Sequence, residues 1–252
     1  NYKIPFRSNL KISEDKLIAA NQNNDLFFFS KKSGEILKLI PTEETVIKNR
    51  YINNISSNGK ISFFLNTYGS LYGINNKNMK IQWFLNLNKS LDLNPSNLFK
   101  SNQIIAYDDM VIVSTDKNLF ILNSTNGKLV YKNNFISLIK PLIIDNYLFL
   151  INKNNLLISL NLTNLKIIYS YDVNELISEF LNTKKKNVQF KSLMMANNKV
   201  LIFLENSYLL QFNIYGKLEF IKKLPIKLKT EPLFIDQKIL FLSSKNNIAM
   251  VN

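Results

Sequence analysis

Residues 140–169 read KPLIIDNYLFLINKNNLLISLNLTNLKIIY, and this stretch decides the fold. Short apolar runs, rich in β-branched and aromatic residues, alternate here with Asn, Asp and Thr, which is typical of strands separated by tight turns. The runs are almost continuously apolar, which indicates a small antiparallel sheet covered on both faces. The predicted strands are Leu142–Ile144, Tyr147–Ile151, Leu156–Leu160 and Lys166–Tyr169.

The same unit recurs along the chain. Residues 230–237, TEPLFIDQ, closely copy residues 140–146, KPLIIDN, and each copy leads into an apolar run, a polar turn and another run. The turn before the fourth strand recurs about every 40–50 residues, which is the spacing of four-stranded propeller blades. The turn residues at this position are Gly34, Met79, Gly127, Leu165 and Gly216.

These repeats predict an all-β chain, a β-propeller of four-stranded antiparallel blades with five complete blades and one partial blade. We expect residues 1–252 to form a single domain, as a six-bladed ring or as a piece of an eight-bladed one. Beyond the quoted blade, the predicted strands are Asn9–Ile12, Lys16–Ala20, Leu26–Phe29 and Glu35–Leu39; Ile61–Leu65, Gly69–Asn75 and Lys80–Leu85; Gln103–Tyr107, Met110–Ser114, Asn118–Leu122 and Lys128–Lys132; Ser192–Ala196, Lys199–Leu204, Tyr208–Phe212 and Lys217–Lys222; and Leu233–Ile235, Lys238–Leu242 and Ile248–Val251.

Composition excludes several kinds of site. The chain has no Cys and no His, so disulfides, Cys or His metal sites and nucleophile–His catalysis are ruled out. The net charge of +14 would suit nucleic acid, an acidic partner or a membrane surface. Because the Lys residues are scattered over turns, and only Lys184–Lys186 cluster tightly, we predict no nucleic-acid binding.

Two insertions interrupt the repeat. Residues 88–101 contain Pro95 and several Asn and Ser, which predicts a loop. Residues 172–189 begin with a capping-box pattern, Asp172 to Glu175, and continue with apolar residues at helical spacing, which predicts a short amphipathic helix followed by a basic loop. The apolar face of this helix either covers the rim of the propeller or docks a partner. The candidate partner-binding residues are Leu176, Phe180, Lys184, Lys185 and Lys186.

The repeat resembles the PQQ-like propeller repeat. The middle of that repeat is matched by residues 69–75, GSLYGIN, and its turn by residues 124–128, STNGK. Four residues after the turn residue, the PQQ-like repeat usually has Trp. At that position this chain has Lys38, Trp83, Tyr131, Tyr169 and Phe220. Where Met79 and Leu165 replace the turn Gly, we expect the preceding Asn78 and Asn164 to adopt the left-handed conformation instead.

Within that superfamily the chain is most similar to the BamB-like outer-membrane assembly lipoproteins. This resemblance implies a periplasmic scaffold without cofactor, tethered to the outer membrane by a lipid anchor and acting in the machinery that inserts β-barrel proteins. Neither the lipidation Cys nor the signal peptide is in the sequence, so we expect residues preceding Asn1 to have been removed. The first residues, 2–6, are expected to supply the strand that the last blade lacks if the ring has six blades.

Two alternatives remain. One is a generic ligand- or protein-binding propeller of the PQQ-like type. The other is a fragment of a PQQ-dependent dehydrogenase, a resemblance that would imply a calcium ion held by Glu, Asn and Asp, and a catalytic Asp. Asp108, Asp109 and Asp145 fall in predicted turns, and Glu43 and Glu44 in a predicted loop, so we expect no catalytic residues, no cofactor and no metal.

Overall fold

A computed structural model of the chain describes residues 4–45, 53–88, 99–236 and 238–251. It divides into two compact units, Asn1–Asn134 and Phe135–Asn252. Each unit consists of three antiparallel sheets, and consecutive strands pair in chain order within every sheet. The predicted meander of short strands is therefore confirmed.

The first unit contains three four-stranded sheets. Sheet 1 comprises β1 (Lys11–Ser13), β2 (Lys16–Ala20), β3 (Leu26–Ser30) and β4 (Ile36–Ile40). Sheet 2 comprises β5 (Asn54–Ser57), β6 (Ile61–Leu65), β7 (Ser70–Asn75) and β8 (Lys80–Asn86). Sheet 3 comprises β9 (Ile105–Tyr107), β10 (Met110–Ser114), β11 (Leu119–Asn123) and β12 (Leu129–Asn133).

The second unit contains two four-stranded sheets, one three-stranded sheet and a helix. Sheet 4 comprises β13 (Leu142–Ile144), β14 (Tyr147–Ile151), β15 (Leu156–Asn161) and β16 (Lys166–Asp172), and is followed by α1 (Val173–Leu181). Sheet 5 comprises β17 (Phe190–Ala196), β18 (Lys199–Leu204), β19 (Tyr208–Asn213) and β20 (Leu218–Lys223). Sheet 6 comprises β21 (Leu233–Ile235), β22 (Lys238–Leu242) and β23 (Ile248–Val251).

Both faces of the middle strands are covered, as their continuous apolar pattern predicted. In β14, Leu148, Phe149, Leu150 and Ile151 are all fully buried. Phe149 and Ile151 join Val200 and Ile202 of β18 in one core cluster, so sheets 4 and 5 stack face to face. The fourth strands are much less covered, and Ile167 and Ile168 of β16 remain exposed.

Asn side chains build the turns between third and fourth strands. Asn161 accepts hydrogen bonds from the backbone N–H groups of Thr163 and Asn164, and Asn164 accepts one from Lys166 N–H. Asn75 and Asn123 repeat this arrangement in sheets 2 and 3. A side-chain carbonyl that mimics a backbone turn explains why Asn recurs at this position, where sheet 1 has Ser30 instead.

One prediction about these turns is wrong. The left-handed residues are Met79 (φ 54°) and Leu165 (φ 57°) themselves, rather than the preceding Asn78 and Asn164. The Asn side chain is already used as an acceptor for the strand that follows, so the next residue must take the left-handed backbone whatever its side chain.

The predicted loop at residues 88–101 and the predicted closing strand at residues 2–6 are described only in part. Residues 89–98 of the predicted 88–101 loop lie outside the described residues, as do Tyr2 and Lys3 of the predicted closing strand. Phe6 pairs with Asn21, and Pro5 O accepts a hydrogen bond from Gln22 N–H, so the described part of that segment joins sheet 1.

Candidate functional site

The insertion after sheet 4 forms the predicted helix. Asp172 caps it, since its carboxylate accepts hydrogen bonds from the N–H groups of Asn174 and Glu175. Asn182 ends it in the left-handed conformation, and its N–H donates to the carbonyls of Ser178 and Glu179. α1 therefore has well-defined ends, which fix the direction in which its side chains point.

One side of α1 belongs to the core. Val173 is fully buried, and Leu176 and Ile177 pack against the cluster between sheets 4 and 5. Towards the C-terminal end the helix leaves the core, and Phe180 and Leu181 are about half exposed. The first turns of the helix thus cover sheets 4 and 5, and its last turn is partly exposed to solvent.

The basic loop after α1 folds back onto the start of the helix. Asn174 is buried, and its side-chain oxygen accepts a hydrogen bond from Val188 N–H. Lys185 Nζ lies 2.6 Å from Asp172 Oδ2. Partial burial would by itself raise the pKa of Asp172, but the hydrogen bonds from Lys185 and from the first helical turn outweigh it and hold that pKa below its ordinary value.

Two stacked tyrosines lie beside the helix at the end of β16. The rings of Tyr169 and Tyr171 are 5.0 Å apart, and both lie against Gly216 in the β19–β20 turn. A Cβ at position 216 would meet each ring at 2.7 Å. Burial raises the pKa of Tyr169, so its hydroxyl stays protonated and donates to Ile214 O at 3.2 Å. These contacts hold Tyr171 in place without using its exposed face.

A surface groove of about 450 Å³ lies between these elements. Its volume is within the range of small-ligand and side-chain binding sites. All three aromatic residues that line it are well exposed: Tyr171 (41%), Phe180 (49%) and Tyr215 (75%). The complete lining is Tyr171, Leu176, Glu179, Phe180, Tyr215, Gly216, Lys217 and Leu218.

The groove brings together some of the sequence-predicted site residues and leaves others out. Leu176 and Phe180 line it. Lys185 is paired with Asp172, and Lys184 and Lys186 are exposed in the loop. The sequence argument missed Tyr171, Glu179, Tyr215 and Lys217, which come from β16, α1 and the β19–β20 turn. Tyr215 in the turn at residues 213–217 was the one available signal, because a bulky aromatic side chain is unusual in a tight turn.

The groove suits recognition by packing. Tyr and Phe provide large, rigid apolar area, and the Tyr hydroxyls add hydrogen-bonding groups at its edge. The described ranges contain no group of three or more acidic, His or Cys side chains arranged to hold a metal ion. Asp108 and Asp145 adopt left-handed φ values of 50° and 47° in tight turns, which confirms their assignment to turns. In the part of the chain described, no helix is long and apolar enough to cross a membrane.

Comparison with known proteins identifies the fold. Neither a protein family nor a curated protein matches the chain by sequence. BamB from Moraxella catarrhalis matches with a TM-score of 0.61 and 10% identity, over 99% of this chain and 84% of BamB. The Cps50 (Swd1) β-propeller domain from Myceliophteria thermophila matches with a TM-score of 0.63 and 8% identity, over 99% of this chain and 83% of that domain. The fold is that of a β-propeller.

A designed protein also matches the chain in structure. The computationally designed Ika8 protein matches with a TM-score of 0.71 and 10% identity, over 96% of this chain and 70% of Ika8. The six sheets are thus blades, five with four strands and one with three in the described chain. The predicted resemblance to BamB-like propellers holds for the fold. In propeller terms, the groove lies between the outer strand of blade 4, helix α1 and the last turn of blade 5.

Proposed function

We propose that this propeller is a non-catalytic protein-interaction scaffold that assists the assembly of β-barrel proteins in the outer membrane. The observation that carries the proposal is the aromatic groove on a fold similar to that of BamB. Exposed aromatic residues clustered at one place on a protein surface favour protein–protein contact, because Tyr and Phe bury large areas at little entropic cost.

The site combines a rigid support with exposed side chains, as binding surfaces usually do. The stacked blades and the first turn of α1 form a rigid support through Val173, Leu176 and Ile177. Phe180 and Tyr215 project from this support into solvent. Side chains held by a fixed scaffold lose little freedom on binding, so a modest contact area can give a useful affinity.

The partner that we propose is a protein of the barrel-assembly machinery. The scaffold acts as a monomer within that complex, in the periplasm, and reaches the outer membrane through a lipid anchor outside residues 1–252. Nucleic acid is not a proposed partner, because the Lys residues behind the net charge of +14 are scattered along the sequence and only Lys184–Lys186 cluster tightly.

The test is affinity capture from an outer-membrane extract with the full chain as bait, followed by mass spectrometry of the barrel-assembly proteins. Single variants Phe180→Ala and Tyr215→Ala are expected to reduce recovery several-fold, because both remove exposed aromatic contact area. Leu181→Ala is the matched control, since Leu181 is exposed on the same helix but does not line the groove.

Equal recovery with all three variants would remove the groove from the proposal and leave the scaffold role. No recovery of barrel-assembly proteins by the folded wild-type chain would reject the assembly role. The chain would then be a binding propeller with a different partner.

A further inference from the structure

Two opposite charges line the groove without meeting each other. Glu179 comes from α1 and Lys217 from the β19–β20 turn. Neither side chain forms a hydrogen bond or ion pair with any of the described residues. The groove therefore holds one anionic and one cationic group, both available to a ligand.

Two pairs of charges near the groove, in contrast, are already formed. Lys185 pairs with Asp172 at 2.6 Å, and Lys199 pairs with Glu219 at 2.8 Å. Hydrogen bonds from Lys199 and Gln211, together with the nearby charge of Lys217, lower the pKa of Glu219. Glu179 and Lys217 form no such hydrogen-bonded pair among the described residues, although the charge of Lys217 acts on Glu219 from nearby.

The apolar part of the groove lies with these two charges. Phe180 is one residue beyond Glu179 on α1, and Tyr215 is two residues before Lys217 in the turn. Tyr171 also lines the groove, where it is held by its stacking on Tyr169 and its contact with Gly216. A ligand that fills the groove thus meets aromatic rings together with one carboxylate and one ammonium group.

We propose that the groove binds a short segment of the partner protein in which a large apolar side chain stands between one basic and one acidic residue. The apolar side chain packs against Tyr171, Phe180 and Tyr215. The basic residue pairs with Glu179, and the acidic residue pairs with Lys217. This inference rests on the proposed scaffold function and names the chemistry of the segment that the scaffold recognises.

The test compares two capped peptides of identical composition, one with Lys-Phe-Glu at its centre and the other with Glu-Phe-Lys. Both are electrically neutral, so the net charge of +14 attracts them equally. Titration into the ¹⁵N-labelled full chain is followed by the amide signals of Gly216 and Lys217. Exposed ion pairs contribute little each, so we expect one peptide to bind about three- to tenfold more tightly than the other.

The decisive variant exchanges both charges, Glu179→Lys with Lys217→Glu. The exchange is expected to reverse the preference between the two peptides. The affinity of whichever peptide binds more tightly should stay nearly unchanged. A peptide with Lys-Ala-Glu at its centre is expected to bind at least several-fold more weakly than its Phe counterpart. Unchanged amide signals of Gly127, which lies in the first unit, control for the fold.

Equal binding of the two peptides, or the same preference in the exchanged variant, would overturn the inference. So would peptide-induced shifts that leave Gly216 and Lys217 unaffected. This test does not depend on the identity of the partner. A reversed preference without capture of barrel-assembly proteins supports the inference and rejects the assembly role, whereas capture without any preference does the opposite.

Discussion

Trp83 shows what a single residue contributes to the stacking of blades. Its indole Nε1–H donates to Ser124 O at 2.9 Å, and its ring covers Gly73 of its own blade and Gly127 of the next. Tyr169 makes the same connection in the second unit, through Ile214 O and Gly216. Trp83 and Tyr169, which stand where the PQQ-like repeat usually has Trp, thus link neighbouring blades.

Gly127→Ala tests the contact of the Trp83 ring with the next blade. Gly127 has φ +70°, and a Cβ there would lie 2.5 Å from the Trp83 ring, so we expect both backbone strain and a clash. The loss of unfolding free energy should be about 3 kcal/mol, measured by urea denaturation. Gly34→Ala is the matched control, because Gly34 has φ +75° with nothing within 4 Å and should lose only about 1 kcal/mol. Equal losses would show that the ring yields without cost.

Leu165→Gly should stabilise the protein. Leu165 is left-handed, with φ 57°, in a turn whose hydrogen bonds come from Asn161 and Asn164 rather than from its own side chain. Glycine removes the steric cost of that backbone, and we expect a gain of about 0.5–1 kcal/mol after its greater freedom in the unfolded chain is subtracted.

Thermal melting of both variants is the measurement. The control is Thr163→Gly, in the same turn but without a left-handed backbone, and it is expected to be destabilising. A destabilised Leu165→Gly would mean that the side-chain packing of Leu165 outweighs its backbone strain.

At the scale of elements, most strands could be predicted because each lies between turn residues of distinct chemistry. The strands Lys16–Ala20, Met110–Ser114 and Lys199–Leu204 have the predicted bounds. β5, Asn54–Ser57, was missed because its Asn-Ile-Ser-Ser sequence has a single apolar residue and therefore no apolar run. Its Asn54 and Ser56 are nevertheless buried, and Asn54 donates hydrogen bonds to Ser101 Oγ and Asn102 O, contacts that only the assembled sheets provide.

The candidate site was predictable only in part for a similar reason. Helical spacing identified Leu176 and Phe180 on one local element. Tyr171 and Tyr215 are 44 residues apart in the chain, and they line one groove only because blades 4 and 5 stack. No local pattern carries that information, so the groove requires the structure.

The cap of α1 gives a prediction with a pH dependence. Asp172→Ala removes the acceptor for two backbone N–H groups and should lower the unfolding free energy by about 1 kcal/mol. Asp172→Asn keeps a capping oxygen but loses the charge that pairs with Lys185. The stability that the charge contributes is present above the ordinary Asp pKa of about 4 and is lost as pH falls through the lowered value in the folded state.

The measurement is the difference in melting temperature between wild type and Asp172→Asn, followed from pH 7 to pH 3. We expect a small advantage of the wild type at pH 7 that shrinks below about pH 4. A difference that is constant over this range would exclude a contribution from the carboxylate charge.

At the scale of the whole molecule, the same repeat runs through both compact units, and blades that stack on their neighbours share their stability. We therefore propose that residues 1–252 unfold as a single domain, as the repeat predicted. The one Trp of the chain, Trp83, lies in the first unit, so its fluorescence reports on that unit alone. Trp83 fluorescence can then show whether a mutation in the second unit changes the unfolding of the first unit.

Phe203→Ala provides that mutation. Phe203 is fully buried between blades 5 and 6, so its truncation should cost about 3–5 kcal/mol. If the units unfold together, Phe203→Ala lowers the denaturation midpoint of Trp83 fluorescence as much as Phe28→Ala, an equally buried change in the first unit. If the fluorescence midpoint stays at the wild-type value while circular dichroism resolves an earlier transition, the units are separate domains. Stability would then be shared among three blades at a time rather than among all six.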